Sequence, residues 1–363
     1  MSARPPGGGP WTVLPLLKTA AEYLAGKGVP SARLDAELLL ARALGCSRIE
    51  LYTASDRPVD EPTRAKLREL VRRRAEREPV AYILGGKEFY GRAFQVSPAV
   101  LVPRPETELL VAEALAWARA REREALSILD LGTGSGCLAV TLACELPGAR
   151  VTATDASEDA LHVAARNVAR YELTGRVDLR AGAGFEPVAG DRFDLVVCNP
   201  PYVPEHDAVD PEVRHEPPEA VFAGADGLDA YRALAPGLAD ALEARGLALF
   251  ELGAGQAGAV CELLRAAGFA HVDTRPDPAG HERVLRVCRE PLPGREAGGE
   301  IRYEMEPLAA GRDVSERAPR ERRPEPDREA ARRAALEAQL DAWAEGGDEP
   351  PPGMRDEDED GEI

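Results

Sequence analysis

From residue 11 to about residue 84, apolar side chains recur at positions three and four apart, which is the spacing of amphipathic helices. The segments 33–44 and 63–75 show this spacing, and the first of them stops at Gly45. A short extended hairpin is predicted next, from Glu88 to Val102 with Gly91 at its turn. The pattern therefore predicts a small helical domain over 11–85 and a hairpin linker over 86–104.

From residue 105 onward the pattern changes to short apolar runs that alternate with amphipathic helices. Strands separated by helices imply a parallel, doubly wound sheet, and a C-terminal hairpin can add an antiparallel edge. We therefore predict an α/β domain with a mostly parallel sheet over 105–289. Its predicted strands are 126–131, 150–154, 176–180, 193–198, 246–252, 269–274 and 282–288.

Charge is concentrated at the C-terminus. The 363 residues carry a net charge of −18, and residues 290–363 hold 22 acidic and 11 basic residues together with nine prolines. That composition predicts a disordered, charged tail over 290–363. The remaining residues carry a charge of −7, which disfavours direct binding to nucleic acid or to anionic membranes.

The longest apolar runs stay near ten residues, well short of the roughly 20 that a membrane helix needs, so no membrane span is expected. The six cysteines form no CxxC pair, and no histidine lies at metal-ligand spacing. We therefore expect no bound metal and a location in the reducing cytoplasm.

The first candidate site is a glycine-rich turn between the strand 126–131 and a helix that starts near Leu138. A dinucleotide site would want a third glycine at position 137, which is Cys137. An Asp before a Gly-x-Gly-x-Gly turn instead resembles the S-adenosylmethionine loop of class I methyltransferases, where Asp130 can offer negative charge near the cofactor's ammonium group. The predicted cofactor-binding residues here are Asp130, Gly132, Thr133, Gly134, Ser135 and Gly136.

Asp155 ends the next strand, 23 positions after Gly132. A carboxylate at that position can accept hydrogen bonds from both ribose hydroxyls. Taken alone, an Asp that closes a strand is more often a helix N-cap, here for the helix from Ser157 onward. Paired with the glycine turn, ribose binding is the better interpretation.

The tetrapeptide Asn199-Pro200-Pro201-Tyr202 follows the apolar strand 193–198 directly. Two prolines remove two backbone donors, which leaves an acceptor-rich corner suited to a substrate NH2 group. The Asn199 side-chain oxygen and the Pro200 carbonyl supply acceptors, and Tyr202 supplies a flat surface for a planar amide or base. Two acceptors that grip the hydrogens of such a nitrogen can aim it at the cofactor's methyl group without a strong base. We predict Asn199, Pro200 and Tyr202 as catalytic residues, and the whole tetrapeptide as the substrate site.

The flanking motifs resemble the protein-glutamine methyltransferases that modify peptide chain release factors. The supporting runs, in order, are 77–85 (REPVAYILG), 89–91 (FYG), 102–108 (VPRPETE), Asn167, 216–217 (EP), 223–228 (AGADGL), 251–256 (ELGAGQ) and 277–283 (DPAGHER). The resemblance covers about 11–288. It implies a class I methyltransferase fold, S-adenosyl-L-methionine as cofactor, and a helical N-terminal domain that helps dock the release factor. It further implies that the glutamine of a Gly-Gly-Gln loop enters the Asn-Pro-Pro-Tyr corner.

The same resemblance implies smaller roles. Pro103 to Glu108 should lie near the methionine end of the cofactor and the substrate entrance; the alternative is a capped helix start, with Thr107 and the two glutamates, Glu106 and Glu108, near its N-terminus. Glu216 should order a loop over the active site, or else be an exposed loop residue.

The sequence departs from the family at Ala183, where relatives usually carry an Asp that accepts from the adenine amino group. Backbone groups of Ala183 and Gly184, with Phe185 as an apolar wall, are the predicted replacement. We therefore expect weaker cofactor affinity than in relatives with the acid, by about 1 kcal/mol.

Three other functions compete. A DNA adenine methyltransferase uses similar corner chemistry, but it would need a basic face and a target-recognition region. A glutamine methyltransferase of a large-subunit ribosomal protein shares the core motifs and differs only in the N-terminal domain and substrate loops. A catalytically silent adaptor would not need the intact glycine turn, Asp155 and the Asn199 corner.

Overall fold

The computed structural model of the chain describes residues 11–121 and 125–290. The predicted disordered tail therefore lies outside the described residues, apart from Glu290. Contacts between residues divide the described chain into two compact units, 11–84 and 85–290.

The first unit is helical. Its helices are α1 (Val13–Gly26), α2 (Ala32–Leu44), α3 (Arg48–Thr53), α4 (Glu61–Ala75) and α5 (Val80–Leu84). Gly45 ends α2 in the left-handed conformation, with a φ of 68°, as its position after the apolar run predicts. Ser47 and Glu50 form a capping box that starts α3, and the Asp60 carboxylate accepts from the Thr63 amide at the start of α4. The prediction of a helical N-terminal region is confirmed.

The core of this unit comes from the apolar stripes of its helices. Arg74 and Asp35 form a buried ion pair of 2.7 Å within it. Leucines that are fully buried dominate the core: Leu16, Leu17, Leu24, Leu39, Leu40 and Leu67.

The second unit begins with a hairpin of β1 (Gly86–Phe89) and β2 (Arg92–Gln95), and its turn has Gly91 at a φ of 68°. The hairpin was predicted to run to Val102, and this is wrong: β2 ends at Gln95, whose amide donates to the Asn167 side chain at 2.7 Å. Pro98 and Pro103 lack a backbone donor, so the segment that follows cannot sustain a ladder.

A seven-stranded sheet forms the centre of the second unit. Its strands are β3 (Ser127–Leu131), β4 (Arg150–Asp155), β5 (Val177–Ala181), β6 (Phe193–Cys198), β7 (Leu242–Glu251), β8 (His271–Pro276) and β9 (Glu282–Cys288). They lie in the order β5-β4-β3-β6-β7-β9-β8. The first five are parallel and the pairs β7-β9 and β8-β9 are antiparallel, so the predicted mostly parallel sheet with an antiparallel edge is confirmed.

Helices cover both faces of the sheet. They are α6 (Glu108–Arg119), α7 (Cys137–Glu145), α8 (Glu158–Arg170), α9 (Asp229–Ala241) and α10 (Ala257–Ala266), with short 3₁₀ helices at Pro105–Thr107, Glu186–Val188, Pro211–His215 and Pro218–Ala220. All six residues of β6 are buried, and Leu195 and Val196 belong to the apolar clusters on opposite faces. Among the described residues, no helix has the length and apolar character that crossing a bilayer requires.

The order of the strands places the candidate site. From β3 the next strands along the chain, β4 and β5, lie to one side, whereas β6 and β7 lie to the other side, so the strand order switches between β3 and β6. In such sheets, ligands bind at this switch point, outside the carboxyl ends of the strands. Leu131 pairs with Cys198 in register, so the residues that follow them, Gly132 and Asn199, leave the sheet side by side.

Candidate functional site

The glycine turn after β3 is shaped by backbone conformation. Gly132, Gly134 and Gly136 have φ values of 67°, 54° and 79°, which residues with a side chain rarely adopt. A Cβ on Gly132 or Gly134 would meet nothing within 4 Å, whereas one on Gly136 would lie 3.3 Å from Ala164 of α8. The first two glycines therefore leave open space beside the turn, and the third lets α7 pack against α8.

Asp130 is held inside this turn. Its Oδ2 accepts from the Thr133 hydroxyl at 2.6 Å and from the Ala139 amide at 3.1 Å. Its other oxygen, Oδ1, is buried and has no hydrogen-bond partner in the part of the chain that the structure describes. Burial raises the pKa of Asp130 to about 7, and the nearby charge of Asp155 adds to the rise. An acceptor that is buried without a donor fits a cationic ligand group such as an ammonium.

Asp155 fastens the turn to β4. Its Oδ2 accepts from the Gly134 amide and its Oδ1 from the Ser157 amide, both at 2.9 Å. The N-cap of α8 is Ser157, whose hydroxyl accepts from the Ala160 amide at 3.2 Å, so the alternative role of Asp155 as that cap is wrong. Each carboxylate oxygen keeps a second lone-pair site that a ligand hydroxyl can use.

The Asn-Pro-Pro-Tyr corner leaves β6 beside the glycine turn. Asn199 donates from Nδ2 to the Thr107 hydroxyl at 3.1 Å. Its carbonyl oxygen, Oδ1, is buried and lacks a donor among residues 11–121 and 125–290. Pro200 is buried, and Pro201 and Tyr202 are half-buried. The corner thus contains one oriented carboxamide whose oxygen is available to a substrate donor.

Tyr202 is held from two sides. Its hydroxyl donates to Glu251 Oε1 at 3.2 Å, and its backbone carbonyl accepts from Gln256 Nε2 at 2.9 Å. Burial and the neighbouring carboxylate raise the pKa of Tyr202 well above its ordinary value, so the phenol stays neutral. A Cβ on Gly253 would lie 3.1 Å from the Tyr202 ring, so this glycine allows the ring to pack closely.

Thr107 contacts Asn199, and Glu251 contacts Tyr202. Sequence reasoning assigned Glu251 no role here, and it placed Thr107 near the substrate entrance only as part of the segment 103–108. Thr107 is at the N-cap position of α6 with Glu108 in the first turn, as the helix-start alternative predicts, but its hydroxyl makes no capping bond and instead donates to Glu251 Oε2 at 2.6 Å. Burial raises the pKa of Glu251, the last residue of β7. The runs PRPETE and ELGAGQ signalled these positions only as family motifs.

Glu216 is buried rather than an exposed loop residue. Its carboxylate pairs with Arg104 at 2.7 Å and accepts from the Val102 amide at 3.3 Å. Burial raises the pKa of Glu216, which the Arg104 guanidinium partly offsets. The loop that contains the Pro211–His215 turn is thereby fixed to the segment before α6.

The segment after β5 carries the predicted adenine contacts. Ala183 is exposed, and its carbonyl accepts from the Glu186 amide at 3.2 Å. Gly184 has a φ of 53°. Phe185 is half-buried against α9, where a Cβ on Gly237 would lie 2.6 Å from its ring. The Gly182 amide donates to the Asp155 carbonyl at 2.9 Å, which ties this segment to the end of β4.

Among the described residues, no group of three His, Cys, Asp or Glu side chains is arranged to hold a metal ion. The six cysteines are all free. Burial raises the pKa of Cys137 to about 12 and that of Cys198 well above its ordinary value, so neither thiol is activated as a nucleophile.

Two family models match the chain, one described as the PrmC N-terminal domain over residues 15–85 and one as the methyltransferase small domain over 107–217. The release factor glutamine methyltransferase of Geobacter sulfurreducens is 46% identical over 278 residues, 76% of this chain and 96% of the relative. The release factor glutamine methyltransferase of Burkholderia pseudomallei is 45% identical over 285 residues, which are 75% of this chain and 97% of that relative. A solved release factor-specific protein-(glutamine-N5) methyltransferase from Alicyclobacillus acidocaldarius is 32% identical, covers 55% of this chain and all of its own, and has a TM-score of 0.33.

The sheet and the glycine turn at its switch point define a class I methyltransferase that uses S-adenosylmethionine. The chain belongs to the release factor glutamine methyltransferase family, and it is an enzyme that methylates protein glutamine.

Proposed function

We propose that this enzyme transfers a methyl group from S-adenosylmethionine to the side-chain amide nitrogen of the glutamine in the Gly-Gly-Gln motif of peptide chain release factors. The observation that carries the proposal is Asn199 Oδ1, a buried acceptor to which no group in 11–121 or 125–290 donates, in a corner beside the glycine turn. The relatives' names support the substrate. A glutamine side chain ends in the NH2 group that such an acceptor needs.

The cofactor fits the residues present. Asp130 Oδ1 is buried without a hydrogen-bond partner among the described residues, which suits the ammonium of the methionine moiety. The open space beside Gly132 and Gly134 lets the backbone approach a ligand. Asp155 has lone pairs left for the ribose hydroxyls. Thr133, Ser135, Gly136, Gly184, Phe185 and Asn199 complete the proposed cofactor site. When bound, S-adenosylmethionine supplies an electrophilic methyl group on a positively charged sulfur.

The corner prepares the nucleophile. An amide nitrogen is a poor nucleophile because its lone pair is delocalised into the carbonyl. Asn199 Oδ1 and the Pro200 carbonyl grip its two hydrogens, and the Tyr202 ring holds the planar group. The ionisable group that contacts the corner is the Glu251 carboxylate, and a carboxylate is a weak base, so catalysis rests on positioning and on electrostatic stabilisation.

In this proposal the helical domain and the methyltransferase domain have different roles. The helical domain, 11–85, helps to dock the release factor, and 86–104 links it to the methyltransferase domain, 105–289. The partner is a protein that acts in translation, so the reaction takes place in the cytoplasm. Neither nucleic acid, membrane nor metal takes part directly.

The test is incubation of the full chain with methyl-labelled cofactor and, in parallel, purified release factors, ribosomal protein and DNA. Peptide mapping should locate the label on one glutamine, within a Gly-Gly-Gln peptide of a release factor. Label confined to a ribosomal protein or to adenine in DNA would contradict the proposal. The Asn199→Ala enzyme serves as the control for labelling that does not depend on the corner.

A further inference from the structure

Three side chains from separate parts of the second unit form a hydrogen-bonded chain that ends at the corner. Glu251 Oε2 accepts from the Thr107 hydroxyl at 2.6 Å, and Thr107 Oγ1 accepts from Asn199 Nδ2 at 3.1 Å. Thr107 and Glu251 are buried, and they are 144 positions apart in sequence.

The chemistry of the three groups fixes the direction of this chain. Burial raises the pKa of Glu251, but hydroxyl donors at both of its oxygens, Thr107 at Oε2 and Tyr202 at Oε1, favour the ionised form. An ionised carboxylate only accepts hydrogen bonds, so the single hydroxyl proton of Thr107 goes to Glu251. The Thr107 oxygen is then left as an acceptor, and the group of Asn199 that faces it must be the NH2. The carbonyl oxygen of Asn199 is therefore turned the other way. Nothing local to a carboxamide sets this choice, since its two ends have nearly the same shape.

We propose that Thr107 and Glu251 are positioning residues that hold the Asn199 carboxamide with its oxygen toward the substrate amide. This inference rests on the proposed function, in which that oxygen accepts from the glutamine NH2. A reversed carboxamide would place the Asn199 NH2 against the substrate NH2, where neither group can accept a hydrogen bond. The substrate nitrogen would then lose one of its two hydrogen-bond acceptors.

Glu251 holds the other end of the corner as well. Its Oε1 accepts from the Tyr202 hydroxyl at 3.2 Å, and its backbone carbonyl accepts from the Tyr231 hydroxyl at 2.7 Å. One carboxylate thus orients Asn199 through Thr107 and orients Tyr202 directly. A single buried carboxylate therefore takes part in holding both side chains.

Three substitutions in the full chain test the inference. Thr107→Ser keeps the hydroxyl and should retain kcat within about threefold of the unaltered enzyme. Thr107→Val keeps the shape and loses the hydroxyl, so kcat for a release factor should fall on the order of tenfold to a hundredfold, because the reacting group is less well oriented. Glu251→Gln introduces an NH2 donor, so the hydrogen bonds through Thr107 to Asn199 can also run in the opposite direction. This variant should lower kcat by a similar factor. The Kd for S-adenosylmethionine should stay within about threefold in all three.

A matched control is Thr141→Val. Thr141 is a fully buried threonine in α7, and its hydroxyl has no partner within the described residues. Thr141 takes part in none of the hydrogen bonds described for the corner, so this variant should keep the kcat of the unaltered enzyme. A fall in kcat with Thr141→Val as large as that with Thr107→Val would overturn the assignment, because loss of any buried hydroxyl would then suffice.

A second measurement reads the Asn199 side chain without substrate or turnover. In ¹⁵N spectra of the protein, the NH2 pair that disappears in Asn199→Ala belongs to this residue. Its hydrogens should exchange slowly and keep their shifts in Thr107→Ser, and they should move and exchange faster in Thr107→Val and Glu251→Gln. An unmoved NH2 pair together with unchanged kcat in Thr107→Val would overturn the inference. If the unaltered enzyme labels no release factor, the proposed function fails, and the NH2 pair still reports separately whether Thr107 orients Asn199.

Discussion

Gln256 donates from Nε2 to the backbone carbonyl of Tyr202 at 2.9 Å, which joins the start of α10 to the last residue of the Asn-Pro-Pro-Tyr corner. The same NH2 group lies 3.3 Å from the Gly227 carbonyl, and Gln256 Oε1 accepts from the Gly253 amide at 3.2 Å. One side chain therefore holds the corner and two loops together. The space for it exists because positions 227 and 253 carry no side chain.

Gly227→Ala should damage the corner. Its φ is 75°, and an added Cβ would lie 2.3 Å from the Tyr202 carbonyl oxygen and 2.7 Å from Gln256 Nε2. The backbone of the corner must shift to remove these collisions, so we expect kcat to fall at least tenfold. The free energy of unfolding should fall by more than the roughly 1–2 kcal/mol that a left-handed alanine costs by itself. Steady-state kinetics and denaturant unfolding measure the two effects.

Gly255→Ala is the matched control for that substitution. Gly255 has a φ of 79°, and a Cβ there would meet nothing within 4 Å. It should carry the cost of the left-handed conformation and leave kcat unchanged. Equal losses of kcat in the two variants would show that backbone strain, rather than collision with the Tyr202 carbonyl, is responsible.

Asn199→Ala should lower kcat by about 10²–10³-fold, the usual loss when one oriented hydrogen-bonding group is removed from a transition state. Asn199 is also one of the proposed cofactor contacts, so the Kd for S-adenosylmethionine should rise, but by much less than kcat falls, because the charged contacts of Asp130 and Asp155 are untouched. Single-turnover kinetics with calorimetric titration of the cofactor separates the two quantities. An adaptor without catalytic activity would be indifferent to the change, and retained turnover in this variant would mean that the corner does not hold the substrate amide.

Sequence alone predicted the features that are local in the chain. All seven predicted strands are present, and five of them agree with the prediction to within one residue at each end. The exceptions are β7, which begins at Leu242 instead of residue 246, and β8, which spans His271–Pro276 instead of 269–274. The pairing of β7 with β6 contains an irregularity between Phe193 and Leu195, a kind of distortion that an apolar run does not reveal. The sequence also singles out the glycine turn and the Asn-Pro-Pro-Tyr corner as candidate sites, because each is a contiguous motif whose chemistry follows from its residue types.

The supporting side chains could not be found in this way. Thr107 and Glu251 meet only because α6 and β7 pack in the same unit, and the register that joins Leu131 to Cys198 brings two distant motifs together. Such pairings depend on the order of strands in the sheet, which a run of residues does not state. Ser157, rather than Asp155, caps α8 for a similar reason: the Asp155 carboxylate is used by the Gly134 amide, 21 positions away.

Cofactor affinity should depend on pH through Asp130. Burial raises the pKa of this carboxyl to about 7, with Asp155 adding to the rise, and only the ionised form attracts an ammonium. Affinity should therefore weaken as the pH falls below about 7, by at most tenfold per pH unit. It should level off above 7 until the cofactor's own amino group, with an ordinary pKa of about 8, loses its proton.

Calorimetry between pH 6 and 8 measures this dependence. Asp130→Asn removes the titrating group, so its affinity should be weaker at pH 7.5 and nearly constant between pH 6 and 7. An unaltered enzyme whose affinity is constant between pH 6 and 7 would show that Asp130 does not meet the ammonium in its ionised form.

Ala183→Asp should strengthen cofactor binding. Position 183 is exposed in a segment that the Gly182 amide ties to the Asp155 carbonyl at 2.9 Å, so a carboxylate there can reach a donor near the proposed ribose site without being buried. One such hydrogen bond contributes about 1 kcal/mol, or roughly fivefold in Kd by calorimetry. Ala189→Asp adds the same charge at another exposed position, after the Glu186–Val188 turn, and should leave Kd unchanged. If Ala183→Asp gives no gain, backbone groups already satisfy the adenine; if both variants gain, the effect is one of net charge.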